Sequence, residues 1–216
     1  MKKAIIFDMD GLMIETEHLQ SRAFEQVLAE YGINPELHAD GTVHQVGVSA
    51  HDNFVAMKEK YRLDADIDEL LHKKQKIYRE ILSGNITPKP GLLSLLEKLA
   101  QEKVAVAVAS SSSVDDIMFI LKTLDVEKYF TVIVSGESVP RHKPAPDIFI
   151  EAARQLNVHP EDCVVLEDSQ SGVEAAKAAC MNVIAVPNQF TKSQDFRNAN
   201  VVVTSLEKID TAQILG

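Results

Sequence analysis

Short apolar runs and longer amphipathic stripes alternate along this chain and predict most of its secondary structure. The first predicted strand, from Lys3 to Gly11, begins with residues that favour strands and then reaches Asp8 and Asp10. A continuous apolar run is typical of a strand that is buried on both faces of a parallel sheet. Side chains two positions apart on a strand point to the same side, so we expect Asp8 and Asp10 to project together.

The segment 15–83 shows the three- and four-residue spacing of amphipathic helices and no pattern of a strand. The first predicted helix ends at Gly32, the second begins after Ser49 as N-cap, and the third begins at Asp66, with Glu69 placed for a capping box. The apolar positions are Leu19, Ala23, Phe24, Val27, Leu28, Tyr31, Phe54, Val55, Met57, Tyr61, Ile67, Leu70, Leu71, Ile77, Tyr78, Ile81 and Leu82. We interpret them as the core of a helical block.

Beyond Pro88 and Pro90 the pattern changes to helices and strands in turn. The predicted strands are 104–109, 132–134, 163–166, 183–186 and 201–203, and the predicted helices are 92–101, 115–124, 147–156 and 173–179. This alternation implies a parallel sheet covered by helices on both faces. The predicted fold is therefore α/β: a Rossmann-like, doubly wound parallel sheet core (1–14 and 84–216) with an inserted α-helical domain of four-helix type (15–83).

Composition narrows the classes of protein that this fold could represent. The chain has 216 residues and a net charge of -10, which argues against a nucleic-acid or membrane-surface protein. No apolar run approaches the roughly 20 residues of a membrane-spanning helix, and the start of the chain lacks the pattern of a signal peptide. We interpret Cys163 and Cys180 as buried thiols rather than a disulfide, consistent with a cytoplasmic protein.

Paired carboxylates follow two of the predicted strands, where open α/β sheets bind ligands. Asp8 and Asp10 repel each other and are costly to desolvate unless a cation shares their site. Glu167 and Asp168, after a later strand, are typical ligands of a hard cation. Taken alone, the first pair could equally be an Asp-rich turn.

Candidate anion ligands follow the two strands between these pairs. Ser110 to Ser113 precede a predicted helix, where hydroxyls and free backbone amides can bind an anion, although helix capping would also explain them. Lys143 is followed by Pro144 and Pro146, whose fixed backbone would aim the ammonium group. In isolation, Lys143 is more simply a solvated surface charge.

Taken together, these segments resemble the four ordered motifs of the haloacid dehalogenase superfamily. The motifs are Asp8-x-Asp10-Gly11, Ser110, Lys143-Pro-x-Pro-Asp147 and Glu167-Asp168-Ser169-x-x-Gly172-Val173. The match runs over nearly the whole chain, and the helical insertion resembles the α-helical cap domain of the β-phosphoglucomutase-like and phosphoglycolate-phosphatase-like branch. Asp10 is absent from the dehalogenases that do not transfer phosphoryl groups, so the resemblance implies phosphoryl transfer.

The resemblance also implies roles for individual residues. Asp8 would be the nucleophile that forms a phospho-aspartate, and Asp10 would act as general acid and then general base. Ser110, the backbone amide of Ser111 and Lys143 would hold the phosphoryl oxygens.

The implied cofactor is Mg²⁺. Its ligands would be Asp8, the backbone carbonyl of Asp10, and Asp168, with Glu167 bound directly or through water.

Substitutions on the substrate side favour a phosphatase over a mutase. Mutases of this branch carry an arginine where this chain has Ala50 and His51, a histidine where it has Gln20, and Lys-Asn where it has Ser113-Val114. We therefore expect a phosphatase of small phosphorylated metabolites, sugar phosphates foremost. A β-phosphoglucomutase-type phosphomutase is the alternative, and a non-catalytic phospholigand sensor is a second one.

Three residues of the insertion are candidate substrate contacts. They are Thr16, His51 and Lys74, although the lysine run that contains Lys74 is more simply a solvated helix face. We expect a monomer whose partner is a small phosphorylated metabolite, with no nucleic acid and no membrane.

Overall fold

The computed structural model describes residues 2–46, 48–84 and 86–215, and the chain forms two units. One unit comprises Met1–Glu15 and Thr87–Gly216, and the other is Thr16–Ile86. The first contains the sheet, and the second contains three helices in its described residues.

Six parallel strands form the sheet, in the order β3-β2-β1-β4-β5-β6. Their bounds are β1 (Ala4–Phe7), β2 (Ala105–Ser110), β3 (Val132–Ser135), β4 (Cys163–Glu167), β5 (Asn182–Ala185) and β6 (Val201–Val202). The strand β1 lies between β2 and β4 and is fully buried, because helices cover both faces of the sheet there. The predicted α/β fold class is confirmed.

The register of the sheet brings the carboxyl ends of its central strands to one edge. Phe7 is paired with Val108 of β2 and with Leu166 of β4. Ser110 is paired with Ser135 of β3. The polar residues that follow these strands therefore begin at neighbouring positions.

The helical unit contains α1 (Glu17–Glu30), α2 (Ala50–Tyr61) and α3 (Ile67–Leu82). The starts of α2 and α3 follow the predicted caps. The hydroxyl of Ser49 accepts from the Asp52 N–H at 3.1 Å, and the carboxylate of Asp66 accepts from the N–H groups of Asp68 and Glu69.

The core of the helical unit includes Phe24 and Phe54, whose ring centroids are 4.8 Å apart. Val55 was predicted to belong to this stripe, but it is 47% exposed, because a helix turns about 100° between neighbouring residues. The described residues of the unit form three helices instead of a four-helix arrangement. Pro35 and Gly41 lie in the loop that separates α1 from α2.

The remaining helices are α4 (Leu92–Gln101), α5 (Val114–Thr123), α6 (Asp147–Leu156), α7 (Gln170–Ala178) and α8 (Thr211–Leu215). The helix α6 packs against β1, β2 and β3, and α7 packs against β4 and β5. Ala4 and Ile6 share one core cluster with Phe149 of α6, whereas Phe7 packs edge-on against Phe130 at 5.8 Å. No helix in the described ranges is both long enough and apolar enough to cross a membrane.

The two cysteines differ in exposure, and both are free thiols. Cys163 in β4 is buried, and this burial raises the pKa of its thiol to about 11. Cys180 is exposed, so the prediction that both thiols are buried is wrong for this residue. Cys180 lies just after α7 ends, in a left-handed backbone conformation with a φ of 60°.

Candidate active site

Lys143 lies at the centre of a buried charge cluster at the carboxyl edge of the sheet. Its ammonium group donates to Asp8 Oδ1 at 2.6 Å and to Glu167 Oε1 at 2.7 Å. It also lies 4.9 Å from the centroid of the Phe149 ring, which belongs to α6. Its side chain is only 7% exposed, so the alternative interpretation of Lys143 as a solvated surface charge is wrong.

The charges of this cluster perturb one another. The pKa of Asp8 is raised to about 8: burial is the largest cause, Lys143 opposes the shift, and the nearby carboxylates of Glu167 and Asp10 add to it. Burial alone would lower the pKa of Lys143, but Asp8 and Glu167 more than offset that effect and hold it above its usual range. The cluster thus keeps Lys143 positively charged and disfavours the ionised form of Asp8.

Three carboxylates of this edge are suited to hold a divalent cation. Asp8, Glu167 and Asp168 are all buried, and each offers one oxygen within 4.8 Å of the other two. Carboxylate oxygens are the ligands that Mg²⁺ prefers. A cation would also relieve the repulsion that raises the pKa of Asp8, so the donor set and the charge of the site both fit such an ion.

Asp10 has different partners from Asp8, although only one residue separates them. Its Oδ2 accepts from the hydroxyl of Ser112 at 2.8 Å and from that of Ser110 at 3.2 Å. The Ser110 hydroxyl in turn accepts from the Ser112 N–H at 3.1 Å, and Ser135 Oγ donates to the Ser112 carbonyl at 2.7 Å. This loop therefore aims hydroxyl donors at Asp10.

The four consecutive serines divide between the site and helix capping. Ser113 is the N-cap of α5 and accepts from the Asp116 N–H at 3.2 Å, so the capping interpretation holds for this residue. Ser111 is exposed directly after β2. A Cβ atom on Gly136 would lie 3.0 Å from the Ser111 Cα, so a glycine at this position lets the two loops approach closely.

Both oxygens of Glu167 have donors. Oε1 accepts from Lys143, and Oε2 accepts from the N–H of Ser169 at 2.6 Å and from its hydroxyl at 2.9 Å. A Cβ atom on Gly172 would lie 1.8 Å from Glu167 Oε1, so only glycine leaves room for this carboxylate. Ser169 is the N-cap of α7, and its hydroxyl accepts from the Gly172 N–H at 3.1 Å.

The sequence interpretation missed two residues of this site. Ser112 was grouped with the other serines, and only the fold identifies it as the donor to Asp10. Asn188 follows β5 and donates to Asp168 Oδ2 at 2.7 Å. A signal was present, because Asn188 stands just after the predicted strand 183–186, as the other site residues stand after theirs.

The three candidate substrate contacts of the helical unit have distinct environments. Thr16 is buried at the N-cap of α1, and His51 is exposed, with Nδ1 3.2 Å from Asp52 Oδ1. Lys74 is buried, so its interpretation as part of a solvated face is wrong. Its ammonium group donates to Gln20 Oε1 and lies 5.2 Å from the centroid of the Phe24 ring.

The chain matches known proteins over most of its length. The family model of the haloacid dehalogenase-like hydrolases matches residues 5–186. A phosphorylated carbohydrates phosphatase of Thermotoga maritima is 35% identical over 82% of this chain and 81% of its own. A β-phosphoglucomutase of Bacillus subtilis is 32% identical over 85% of this chain and 83% of its own.

Solved structures agree with these matches. The crystal structure of CbbY from Rhodobacter sphaeroides in complex with phosphate is similar to this chain, with a TM-score of 0.86 and 28% identity over 96% of each chain. The resemblance that was based on the four motifs is confirmed, both in sequence and in fold.

Proposed function

We propose that this chain, which belongs to the haloacid dehalogenase-like hydrolase family, is a Mg²⁺-dependent phosphatase of small phosphorylated metabolites that acts through a phospho-aspartate. Its enzyme class, a phosphatase of this family, was expected from the sequence and is confirmed. The cofactor, the intermediate and the substrate are the proposal. One observation carries it: Asp8 and Asp10 stand together at the end of β1 with different hydrogen-bond donors.

Asp8 is the proposed nucleophile. Its attack forms a bond between a carboxylate oxygen and phosphorus while the bond from phosphorus to the leaving oxygen breaks. Lys143 favours the ionised carboxylate of Asp8, which is the nucleophilic form, because its ammonium group lies 2.6 Å from Asp8 Oδ1. The same positive charge would stabilise the transferring phosphoryl group.

Asp10 is the proposed general acid and base. It would protonate the leaving alcohol oxygen, and then take a proton from the water that attacks the phospho-aspartate and regenerates Asp8. The hydroxyls of Ser110 and Ser112 hold its Oδ2, which leaves the carboxyl group oriented before the substrate binds.

Asp8, Glu167 and Asp168 would hold the Mg²⁺ ion, together with the backbone carbonyl of Asp10. When bound, the ion offsets the negative charge that a phosphate dianion brings to buried carboxylates. Lys143 alone supplies one positive charge against the three acidic side chains of this cluster, so the substrate's own charge needs that compensation.

Ser110, the Ser111 amide and Lys143 are the proposed ligands of the phosphoryl oxygens. The Ser110 hydroxyl donates to Asp10 in this structure, so it would rotate to reach a phosphoryl oxygen. The amide of Ser111 precedes the start of α5, where free N–H groups favour an anion.

A sugar phosphate is the proposed substrate, because the Thermotoga maritima relative is named for phosphorylated carbohydrates. We assign substrate selection to the helical unit, with Thr16, His51 and Lys74 as the candidate contacts. A phosphomutase remains the second candidate, because the Bacillus subtilis relative is named as one. The residues Gln20 and Ala50 argue against it, because they replace a histidine and an arginine of the mutases.

The proposal is tested by phosphate release from a panel of sugar phosphates, nucleotides and phosphoglycolate. We expect release that requires Mg²⁺ and disappears in Asp8→Asn. Conversion of β-glucose 1-phosphate to glucose 6-phosphate with little phosphate release would indicate the mutase instead. Binding of these ligands without any turnover would indicate a non-catalytic sensor.

A further inference from the structure

We propose that Asn188 is a positioning residue that sets the orientation of Asp168 for cation binding; this inference rests on the Mg²⁺ site of the proposed function. Asn188 lies in the loop after β5, beyond the last of the four motifs. It is 8% exposed, and its Nδ2 donates to Asp168 Oδ2 at 2.7 Å and to the carbonyl of Gly11 at 3.2 Å.

The direction of the Asn188 amide is determined by its other contacts. Its Oδ1 accepts from the backbone N–H groups of Phe190 at 2.8 Å and Thr191 at 3.2 Å. A backbone N–H can only donate, so the oxygen of the amide must face these groups. The NH₂ group therefore faces Asp168, and it can act there only as a donor to the carboxylate.

The loop itself is held in place around this amide. The Asn188 N–H donates to Thr191 Oγ1 at 3.0 Å, and the Asn188 carbonyl accepts from the Lys192 N–H at 2.9 Å. Thr191 is also buried. The position of Asn188 is thus set by contacts that do not involve Asp168.

Gly11 allows the three segments to meet. Its φ is +86°, and a Cβ atom there would lie 2.3 Å from Asp168 Oδ2 and 2.8 Å from Asn188 Nδ2. Any side chain at this position would force Asp168 and Asn188 away from the end of β1. The glycine of the first motif thus makes room for a contact between the loop after β5 and the carboxylate after β4.

The consequence concerns the second oxygen of Asp168. A donor on Oδ2 restrains rotation of the carboxyl group and so sets where Oδ1 lies. Residues that orient ligating carboxylates in this way typically change metal affinity by about 10–100-fold when they are replaced. We expect Asn188 to act on cation affinity in this manner.

The discriminating variant is Asn188→Ser. A serine in this chain can support the same kind of turn, since Ser135 Oγ accepts from the Glu137 N–H at 3.1 Å and Ser205 Oγ accepts from the Glu207 N–H at 3.0 Å. A serine at 188 can therefore accept from Phe190, but it is too short to replace the donor to Asp168. The matched control is Asn200→Ser in the same connection after β5: Asn200 Oδ1 accepts from the Val183 N–H at 2.9 Å, so the same substitution removes a contact there and leaves Asn188 and its hydrogen bonds in place.

Isothermal titration calorimetry with MgCl₂ measures the effect without reference to activity. We expect Asn188→Ser to weaken Mg²⁺ binding by about 10-fold or more, and Asn200→Ser to bind close to wild type. Equal loss in both variants, or no loss in Asn188→Ser, would overturn the role of Asn188. Absence of Mg²⁺ binding by the wild type would overturn this inference together with the Mg²⁺ site, whereas phosphate release alone would not decide it.

A second measurement does not depend on the folding of any variant. In ¹⁵N NMR of the wild-type protein, the side-chain amide protons of Asn188 should shift when MgCl₂ is added, because their acceptor would then share a carboxylate with the cation. An unchanged Asn188 signal under conditions in which Mg²⁺ binds would overturn the proposal.

Discussion

Asp8 and Asp10 have the same chemistry and almost the same place in the chain, yet the residues around them differ. Asp8 contacts an ammonium group and lies among other buried carboxylates, with its pKa raised to about 8. Asp10 contacts two neutral hydroxyls that come from the end of β2. Surroundings of this kind can assign different roles to two carboxylates of one site. The comparison therefore predicts that their variants fail in different ways.

The largest expected effect separates the two aspartates directly. Asp8→Asn should show no turnover, because it removes the nucleophile. Asp10→Asn should lose about 10²–10⁴-fold in steady-state rate, yet still form the phospho-aspartate from p-nitrophenyl phosphate, whose leaving group needs no proton. Rapid-quench kinetics should then show a burst of one p-nitrophenol per enzyme in Asp10→Asn. Identical behaviour of the two variants would contradict the assigned roles.

The next effect concerns the ammonium group of Lys143, which contacts Asp8. Lys143→Met should lower the free energy of unfolding by about 3–5 kcal/mol, because it leaves buried carboxylates without their ammonium partner. Urea denaturation of the metal-free protein measures this loss.

The control for that prediction is Lys3→Met. Lys3 contacts Asp162 at 2.7 Å, but its side chain is 63% exposed, and such pairs contribute only about 0–1 kcal/mol. Equal losses in the two variants would show that Lys143 does not stabilise the buried carboxylates.

A smaller effect is expected at the hydroxyls beside Asp10. Ser112→Ala removes a hydrogen bond to a charged acceptor, worth about 1.5 kcal/mol or roughly 10-fold in rate. If Ser112 orients the general acid, kcat should fall more for sugar phosphates than for p-nitrophenyl phosphate. Ser113→Ala, at the N-cap of α5, should lower stability without this dependence on the leaving group. A uniform loss in Ser112→Ala would indicate a structural role only.

The smallest effect is a gain in stability. Metal-free Asp8→Asn should unfold at a temperature a few degrees higher than wild type at pH 8, because it removes a buried carboxylate from a crowded cluster. The folded-state pKa of Asp8 is raised to about 8, so folding favours its protonated form and wild-type stability falls as pH rises toward 8. The advantage of Asp8→Asn should therefore shrink as the pH is lowered toward 4. A difference that does not change with pH would contradict the raised pKa.

The strand and helix pattern allowed most of the fold to be predicted, and its exceptions have local causes. The helix Leu92–Gln101 and the helix Asp147–Leu156 have the predicted bounds, because each repeats its apolar positions at helical spacing between clear breaks. Val55 and Cys180 were assigned wrongly, since each stands next to buried positions without sharing their direction. Near neighbours in sequence can thus differ fully in exposure.

Some residues of the site can be predicted from the sequence pattern, whereas others are revealed only by a contact in the folded chain. Asp8 and Glu167 stand at the ends of apolar strands, which meet at one edge of a parallel sheet, and Lys143 is followed by two prolines, so all three could be chosen as candidates. Ser112 and Asn188 could not be chosen in this way, because each matters through one hydrogen bond to a distant residue. Ser112 donates to Asp10, which is 102 positions away, and Asn188 donates to Asp168, which is 20 positions away. No local pattern records a partner at that separation.

The sequence by itself determined which residue types stand at the ends of the strands, and with them the α/β fold and the family. Apolar runs and turn residues determine local structure over a few positions, so they can be recognised without knowing which other segments they contact. Only the tertiary structure decided that Lys143 is buried between Asp8 and Glu167, and that Asn188 holds Asp168. Those facts depend on the distances between segments brought together by the sheet, and the free energy of a buried charge depends on its neighbours within a few ångströms.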